Sequence, residues 1–204
     1  MKYLKLFEDY EDLDHLKVRG VVPEKTRFIY DEQSGDTYFF LYNLSGQMTG
    51  YQKYNPAYPK TGQGKLEDPR LAKYFIWTGD EGYGKKIAVW GLESLKWNDE
   101  YLFVTEGIFD CVKIHNSGNP AIAVMCNNPS DSLKSWIRTL PQKKIVIYDN
   151  DVAGRRLKTI GDWSFTTPES EDTERVIKDL GDMTQEEANE FISEIKEYIK
   201  NEAS

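Results

Sequence analysis

Three continuous apolar runs constrain the second half of this chain: Tyr101-Leu-Phe-Val-Thr105, Ala121-Ile-Ala-Val-Met125 and Lys144-Ile-Val-Ile-Tyr148. Runs without polar alternation suit strands buried on both faces, the environment of a parallel sheet. Segments of helical character lie between and after them, at Ile108 to His115, Ser130 to Leu140 and Ala153 to Ile160. In the second of these, Leu133, Trp136, Ile137 and Leu140 recur at helical spacing. The alternation predicts an α/β fold, a parallel sheet with helices on both faces. Thr173 to Ile177 is expected as a fourth strand. A capping box of Thr184 and Glu187 announces a last helix, whose apolar stripe is Phe191, Ile192, Ile195 and Ile199.

The first hundred residues follow another pattern. After a short helix reaching Arg19, Arg27 to Tyr30 and Thr37 to Tyr42 are aromatic, β-favouring runs around the turn Gln33-Ser-Gly-Asp36, which predicts a hairpin. Met48 to Lys53, Lys73 to Trp77 and Ile87 to Trp90 read as further strands, with a long Pro- and Gly-rich loop from Asn55 to Pro69 and a short helix at Gly91 to Leu95. The expected organisation is a smaller mixed, strand-rich α+β lobe over 1–100, the parallel-sheet domain over 101–183 and a C-terminal helix over 184–204.

Two of the buried strands run directly into carboxylates. Tyr101–Thr105 is followed by Glu106, Gly107 and, one helical turn past Glu106, Asp110; Lys144–Tyr148 is followed by Asp149 and Asp151. Ligands of parallel α/β sheets sit beyond the carboxyl ends of the strands, so neighbouring strands would bring these acids to one edge. Clustered carboxylates repel one another, and a hard divalent cation relieves the repulsion. Such a site suits Mg2+, with Mn2+ as the alternative ion, acting on phosphate oxygens during an in-line displacement. Glu106 either binds the metal or serves as a general acid or base.

The net charge of −8 argues against a nucleic-acid partner only on average. From Asn43 to Lys96 there are eight Lys/Arg against five Asp/Glu, whereas from Asp162 to Ser204 there are four against thirteen. Lys53, Arg70, Lys73, Lys85 and Lys86 are therefore candidate phosphate contacts, and Arg155 or Arg156 meets a phosphate from the start of a helix. Gly79 to Lys85 fits the first seven positions of a P-loop, but Lys86 stands where the metal-binding hydroxyl belongs, which excludes that motif. His15 and His115 lack partner motifs, and two cysteines without a CxxC pair fit a reducing compartment. No signal peptide or membrane-length apolar run is present, so the expectation is a cytoplasmic protein (host cytoplasm if phage-encoded) without a membrane partner.

Val104-Thr-Glu106-Gly107-Ile-Phe-Asp110 and Tyr148-Asp149-Asn-Asp151-Val-Ala-Gly154-Arg155 resemble the two signatures of toprim domains, found in primases, topoisomerases and nucleases. Upstream, the stretch Tyr38 to Lys53, with its turn at Ser45-Gly46 and its glycine at Gly50, is similar to a segment of bacterial and phage DnaG-type DNA primases. Lys73-Tyr74 and Lys85 to Leu92 look like later landmarks of the same catalytic core. Lys178-Asp179-Leu-Gly-Asp182 resembles the primase element that adds two acids to the metal cluster, with a spacing that departs by one residue. The likeness spans about residues 27 to 183. Cellular primases carry zinc-ribbon ligands and a helicase-binding domain as well, and the expectation from this sequence is the catalytic core alone.

The resemblance implies a primase-like nucleotidyltransferase that makes short RNA primers on a single-stranded DNA template from nucleoside triphosphates. It implies Glu106, Asp149 and Asp151 as catalytic residues, and Asp110, Asp179 and Asp182 with them as metal ligands. The partner it implies is a helicase or zinc-ribbon protein supplied in trans. Two alternatives stay open: a toprim nuclease that hydrolyses DNA or RNA with the same acids, and a non-catalytic nucleic-acid-binding or regulatory protein.

Overall fold

The structure is a computed structural model that describes residues 13–60, 67–79, 88–149, 154–168 and 177–202. The chain divides into two compact units. One comprises the residues up to Lys17 with Val22–Ala88; the other comprises Val18–Val21 with Val89–Ser204.

The first unit is an antiparallel meander preceded by a short helix, α1 (Asp14–Val18). Its strands β1 (Ile29–Asp31), β2 (Asp36–Tyr42), β3 (Met48–Tyr54) and β4 (Tyr74–Thr78) pair in sequence order. The β2–β3 turn forms because the Asn43 side chain accepts the amides of Ser45 (2.9 Å) and Gln47 (3.0 Å), an arrangement asparagine favours. Phe39 and Leu41 of β2 are fully buried while Tyr38, Phe40 and Tyr42 alternate with them at intermediate exposure, so one face of the sheet makes the core.

A buried polar network locks the centre of this unit. The Lys53 ammonium lies 3.4 Å from Asp36, donates to the Arg70 carbonyl and sits 4.8 Å from the centre of the Tyr58 ring. Asn55 donates to Asp36 (2.8 Å) and to the Ser34 carbonyl (3.0 Å). Lys53, Asp36 and Asn55 are all buried. The Lys53 ammonium is thus engaged inside the lobe, where its own carboxylate partner takes the place expected for a phosphate.

The second unit is the parallel sheet. Its strands β5 (Tyr101–Thr105), β6 (Ala121–Ala123), β7 (Lys143–Tyr148) and β8 (Trp163–Thr166) lie in the order β6-β5-β7-β8, all parallel. The helices are α2 (Ile108–Asn116), α3 (Asp131–Thr139) and α4 (Gln185–Glu202), with a 3-10 helix at Gly154–Ile160 where a third crossover helix was expected. From β5 the chain steps outward to β6, then returns past β5 to β7. Right-handed crossovers in opposite directions place α2 and α3 on opposite faces. Leu102, Phe103, Ile122, Ile145 and Val146 are fully buried, at about 1.5–3 kcal/mol for each large side chain.

Two elements differ from the reading of the sequence. The fourth strand is Trp163–Thr166, a short alternating Trp-Ser-Phe-Thr run; most of the segment expected there, 173–176, lies outside the described residues. Val89 and Trp90 join no strand of the first sheet. Trp90 instead forms an isolated antiparallel bridge with Ala123 at the edge of the parallel sheet. The capping box at Thr184 forms as expected: the Glu187 carboxylate accepts the Thr184 amide (2.6 Å) and the Thr184 hydroxyl accepts the Glu187 amide (3.2 Å).

Removing one partner of a buried ion pair leaves an uncompensated charge, at about 3–5 kcal/mol. Lys53→Met is therefore expected to destabilise the chain by about that amount in urea unfolding. Adding Asp36→Asn should recover part of the loss; a Lys53→Met variant as stable as the parent would contradict the network.

Candidate active site

The acids occupy the place where the parallel sheet changes direction. Val104 of β5 stands opposite Val146 of β7. Glu106, two residues past Val104, and Asp149, three past Val146, therefore leave adjacent strands at the same carboxyl edge. The chain departs from β5 towards β6 and from β7 towards β8, on opposite sides, which makes the gap between β5 and β7 the topological switch point of the sheet.

Local structure fixes each side. The Glu106 carbonyl accepts the Met125 amide (3.0 Å), just as the Thr105 carbonyl accepts the Val124 amide (3.0 Å). Met125 takes a left-handed backbone (φ 63°), unusual for a residue with a side chain, to make this turn at the end of β6. That strand ends two residues sooner than the apolar run suggests. On the other side, a Cβ at Gly154 would come within 2.5 Å of the Asp149 carbonyl oxygen, so only glycine lets the following 3-10 helix fold back against Asp149.

Asp110 ties these turns to a third. One carboxyl oxygen accepts the Gly107 amide (3.2 Å) at the start of α2; the other accepts the Gly181 amide (2.7 Å), 71 residues further on. Asp110 is buried, and its pKa is pushed well above the ordinary carboxylate range, first by burial and then by the charges of Asp179 and Asp149, against the pull of the two amides. Asp149 and Asp179 are thus each close enough to oppose a charge on Asp110. Asp182 sits in the short 3-10 turn Leu180–Asp182, and its carboxylate receives Arg19 at 2.8 Å; the same guanidinium lies 4.0 Å from Asp179 and 5.4 Å from the centre of the Phe109 ring. Arg19 was not among the residues singled out from the sequence. Nothing in its neighbourhood sets it apart, since Lys17 stands two residues before it.

The structure therefore brings together Glu106, Asp110, Asp149, Asp179 and Asp182 around one sheet edge. Asp151 lies outside the described residues, as do Lys85 and Lys86. Among the described residues no three acidic, His or Cys side chains close into a ready-made metal cage. The donor set still fits a hard ion. It is all carboxylate, it carries mutual repulsion, and Mg2+ takes one or two carboxylates and keeps its waters rather than demanding a full protein cage. Glu106 and Asp149 leave adjacent strands at this edge and are the described candidates for direct ligation, with Asp179 close to Asp110 beside them. Arg155 is exposed at the start of the 3-10 helix after Asp149. Arg70 is exposed and held by Asp68 (2.8 Å), and the Lys73 ammonium lies 5.9 Å from the centre of the Tyr54 ring.

No family model matches the sequence, and no curated protein sequence matches it. The fold, in contrast, matches solved structures along nearly its whole length. A DnaG primase catalytic domain bound to single-stranded DNA is 17% identical with a TM-score of 0.58, covering 95% of this chain and 61% of its own. The Aquifex aeolicus primase, comprising zinc-binding and RNA polymerase domains, gives 17% and 0.59, covering 96% of this chain and 56% of its own. The chain has the fold of a primase catalytic core. The primase fragment of the bacteriophage T7 primase-helicase gives 14% and 0.57, covering 87% of this chain and 72% of its own. The chain thus spans 61% and 56% of the lengths of the first two structures. Among the described residues no helix is long and apolar enough to cross a membrane.

The raised pKa of Asp110 has a definite sign. A folded-state pKa above the unfolded one favours folding below the unfolded value, near 3.8, and the contribution is lost as pH rises through the folded pKa. In chelator, Asp110→Asn should therefore gain stability relative to the parent as pH rises from about 4 to 8. A difference independent of pH in thermal unfolding would contradict the buried, crowded carboxyl.

Proposed function

We propose that the chain is a primase-like nucleotidyltransferase that joins ribonucleotides into short primers on a single-stranded DNA template. The observation that carries this reading is the placement of Glu106 and Asp149 on adjacent parallel strands at the switch point, with Asp110 and Asp179 behind them, in a fold shared with primase catalytic cores. The resemblance of the two acidic motifs to toprim signatures supports the same reading.

Glu106 and Asp149, with Asp151, would hold a magnesium ion. When bound, such an ion supplies charge stabilisation to phosphate oxygens during an in-line displacement. The chain's own residues prepare the site. Asp110 fixes the turn that presents Glu106 by holding the Gly107 amide, and Arg19 neutralises Asp182 so that the outer acid does not compete for the cation. Arg155 is available to a triphosphate from beside the Asp149 turn. In the reaction a primer 3′-hydroxyl oxygen bonds to the α-phosphorus of a nucleoside triphosphate, and pyrophosphate leaves. Arg70 and Lys73, with Lys85 and Lys86 of the same lobe, would contact template phosphates; Lys53 is left out because Asp36 and the Arg70 carbonyl occupy its ammonium. A helicase or zinc-ribbon partner acting in trans belongs to the same proposal.

The test is incubation of the chain with labelled ribonucleotides, single-stranded DNA and Mg2+ or Mn2+. Template-dependent oligonucleotides are expected. Degraded template would indicate a nuclease, and neither product would indicate a binding protein. Asp149→Asn and Glu106→Gln should each lower the rate at least about a hundredfold, since metal-stabilised charge is worth several kcal/mol. Both should retain the parent's circular dichroism, and either variant with the parent's rate would overturn the assignment.

A further inference from the structure

The outward face of the antiparallel sheet is built largely from aromatic rings. On β2, Tyr38, Phe40 and Tyr42 point away from the buried Phe39 and Leu41. Strand pairing continues this face in rows: Phe40 stands opposite Tyr51 and Tyr51 opposite Trp77, while Tyr38 and Phe75 flank the buried Lys53, which lies near the Tyr58 ring, so the Phe40–Tyr51–Trp77 row is the open one. Tyr51 and Trp77 stack at 5.6 Å between centroids and 25° between planes. Tyr38 meets Tyr51 edge-on at 5.4 Å and 71°, and Phe75 lies 6.4 Å from it.

The arrangement is held from below and from the side. A Cβ at Gly50 would lie 2.1 Å from the Trp77 carbonyl oxygen, so a glycine is required for β4 to close on β3 and bring Trp77 to Tyr51. The Tyr38 hydroxyl donates to Asp36 (3.3 Å); burial and the Asp36 charge push its pKa up to about 12, so it stays a neutral donor and the ring keeps its orientation. Trp77 nevertheless remains 49% exposed. Cross-strand aromatic pairs stabilise a sheet, but that role does not require the outermost ring to face water. A row of half-buried rings that ends on an exposed tryptophan, on a charged chain, indicates a binding face.

Charge selects the ligand. From Met48 to Gly79, leaving aside Lys53, which Asp36 engages, the chain carries four Lys/Arg against two Asp/Glu, in a protein of net charge −8. Arg70, whose carbonyl receives Lys53 of this face, has 73% of its side chain exposed and pairs at the surface with Asp68 (2.8 Å). Flat rings bordered by cations match a ligand of flat bases on a phosphate backbone. Every base has a π-face, and only a single strand leaves those faces free.

We infer that the Phe40–Tyr51–Trp77 row and its neighbours Tyr38 and Phe75 form a stacking platform for the bases of single-stranded nucleic acid, with Arg70 at its rim meeting phosphates. The inference rests on the proposed reading for the identity of the strand, the template, and adds how it is gripped: by ring faces, without sequence preference.

The test uses the full chain and a labelled oligothymidylate of about 16 nucleotides, within the range of single-strand site sizes. Trp77→Ala should weaken binding about 5- to 150-fold, the effect of losing base stacking, with the salt dependence unchanged because the phosphates contacted are the same. Trp77→Phe should recover most of the affinity. An abasic oligonucleotide of the same length should bind the parent at least as weakly as the thymidylate binds Trp77→Ala, a measurement that needs no variant to fold. The inference is overturned if the abasic strand binds as well as the thymidylate, if Trp77→Ala binds like the parent, or if the parent binds neither strand. It is also overturned if Trp77→Ala only turns a dimer into a monomer in sedimentation, which would make the face a contact between copies. Primer synthesis on the same preparation separates the two readings. Base-dependent binding without synthesis keeps the platform and removes the enzyme, and synthesis with a neutral Trp77→Ala does the reverse.

Discussion

A single buried carboxyl organises the parallel-sheet unit. Asp110 accepts two backbone amides, Gly107 where β5 turns into α2 and Gly181 in the turn before α4. Two segments far apart in sequence are thereby pinned to the edge where Glu106 and Asp149 emerge. The strut is under electrostatic load, since burial and the charges of Asp179 and Asp149 oppose its ionisation. Arg19, 4.0 Å from Asp179 and 2.8 Å from Asp182, sets a positive charge against the acids on this side. The site thus carries its internal compensation, two amides and one guanidinium, while Glu106 and Asp149 leave the strand ends where a ligand would approach.

The first unit solves an opposite problem. Its central charge is a cation, Lys53, and it is compensated from within by Asp36 and the Arg70 carbonyl. Sequence counting cannot distinguish such a lysine from one that faces a phosphate. The difference lies in whether a carboxylate on the neighbouring strand is brought opposite, and that depends on register: Tyr38 pairs with Lys53, which puts Asp36 within reach.

Much of the parallel-sheet unit was legible because buried strands leave unbroken apolar runs. β5 and β7 coincide with theirs within a residue, and the acids that follow them are where strand ends must be. The helices α3 and α4 were legible from apolar spacing, and α4 also from the Thr184 cap; the Ser130 cap of α3 is seen only in the structure. Less legible was what depends on tertiary contact. β8 is short and only half-buried, so it leaves no run; β6 stops early because Met125 adopts a left-handed backbone to reach the Glu106 carbonyl. Arg19 gives no local sign of its partner, because that partner lies 163 residues away.

That distance has a consequence for how the protein is made. A ribosome adds about 5–20 residues per second, so roughly 8–33 s separate the emergence of Arg19 from that of Asp182. Gly181, which grips Asp110, appears at nearly the same moment. The strands bearing Glu106 and Asp149 are synthesised well before, and can pair while the acidic edge still lacks both its guanidinium and its second amide. During translation the parallel sheet therefore exists first as a scaffold with an unbalanced rim, and the site is completed only once the Leu180–Asp182 turn has followed it.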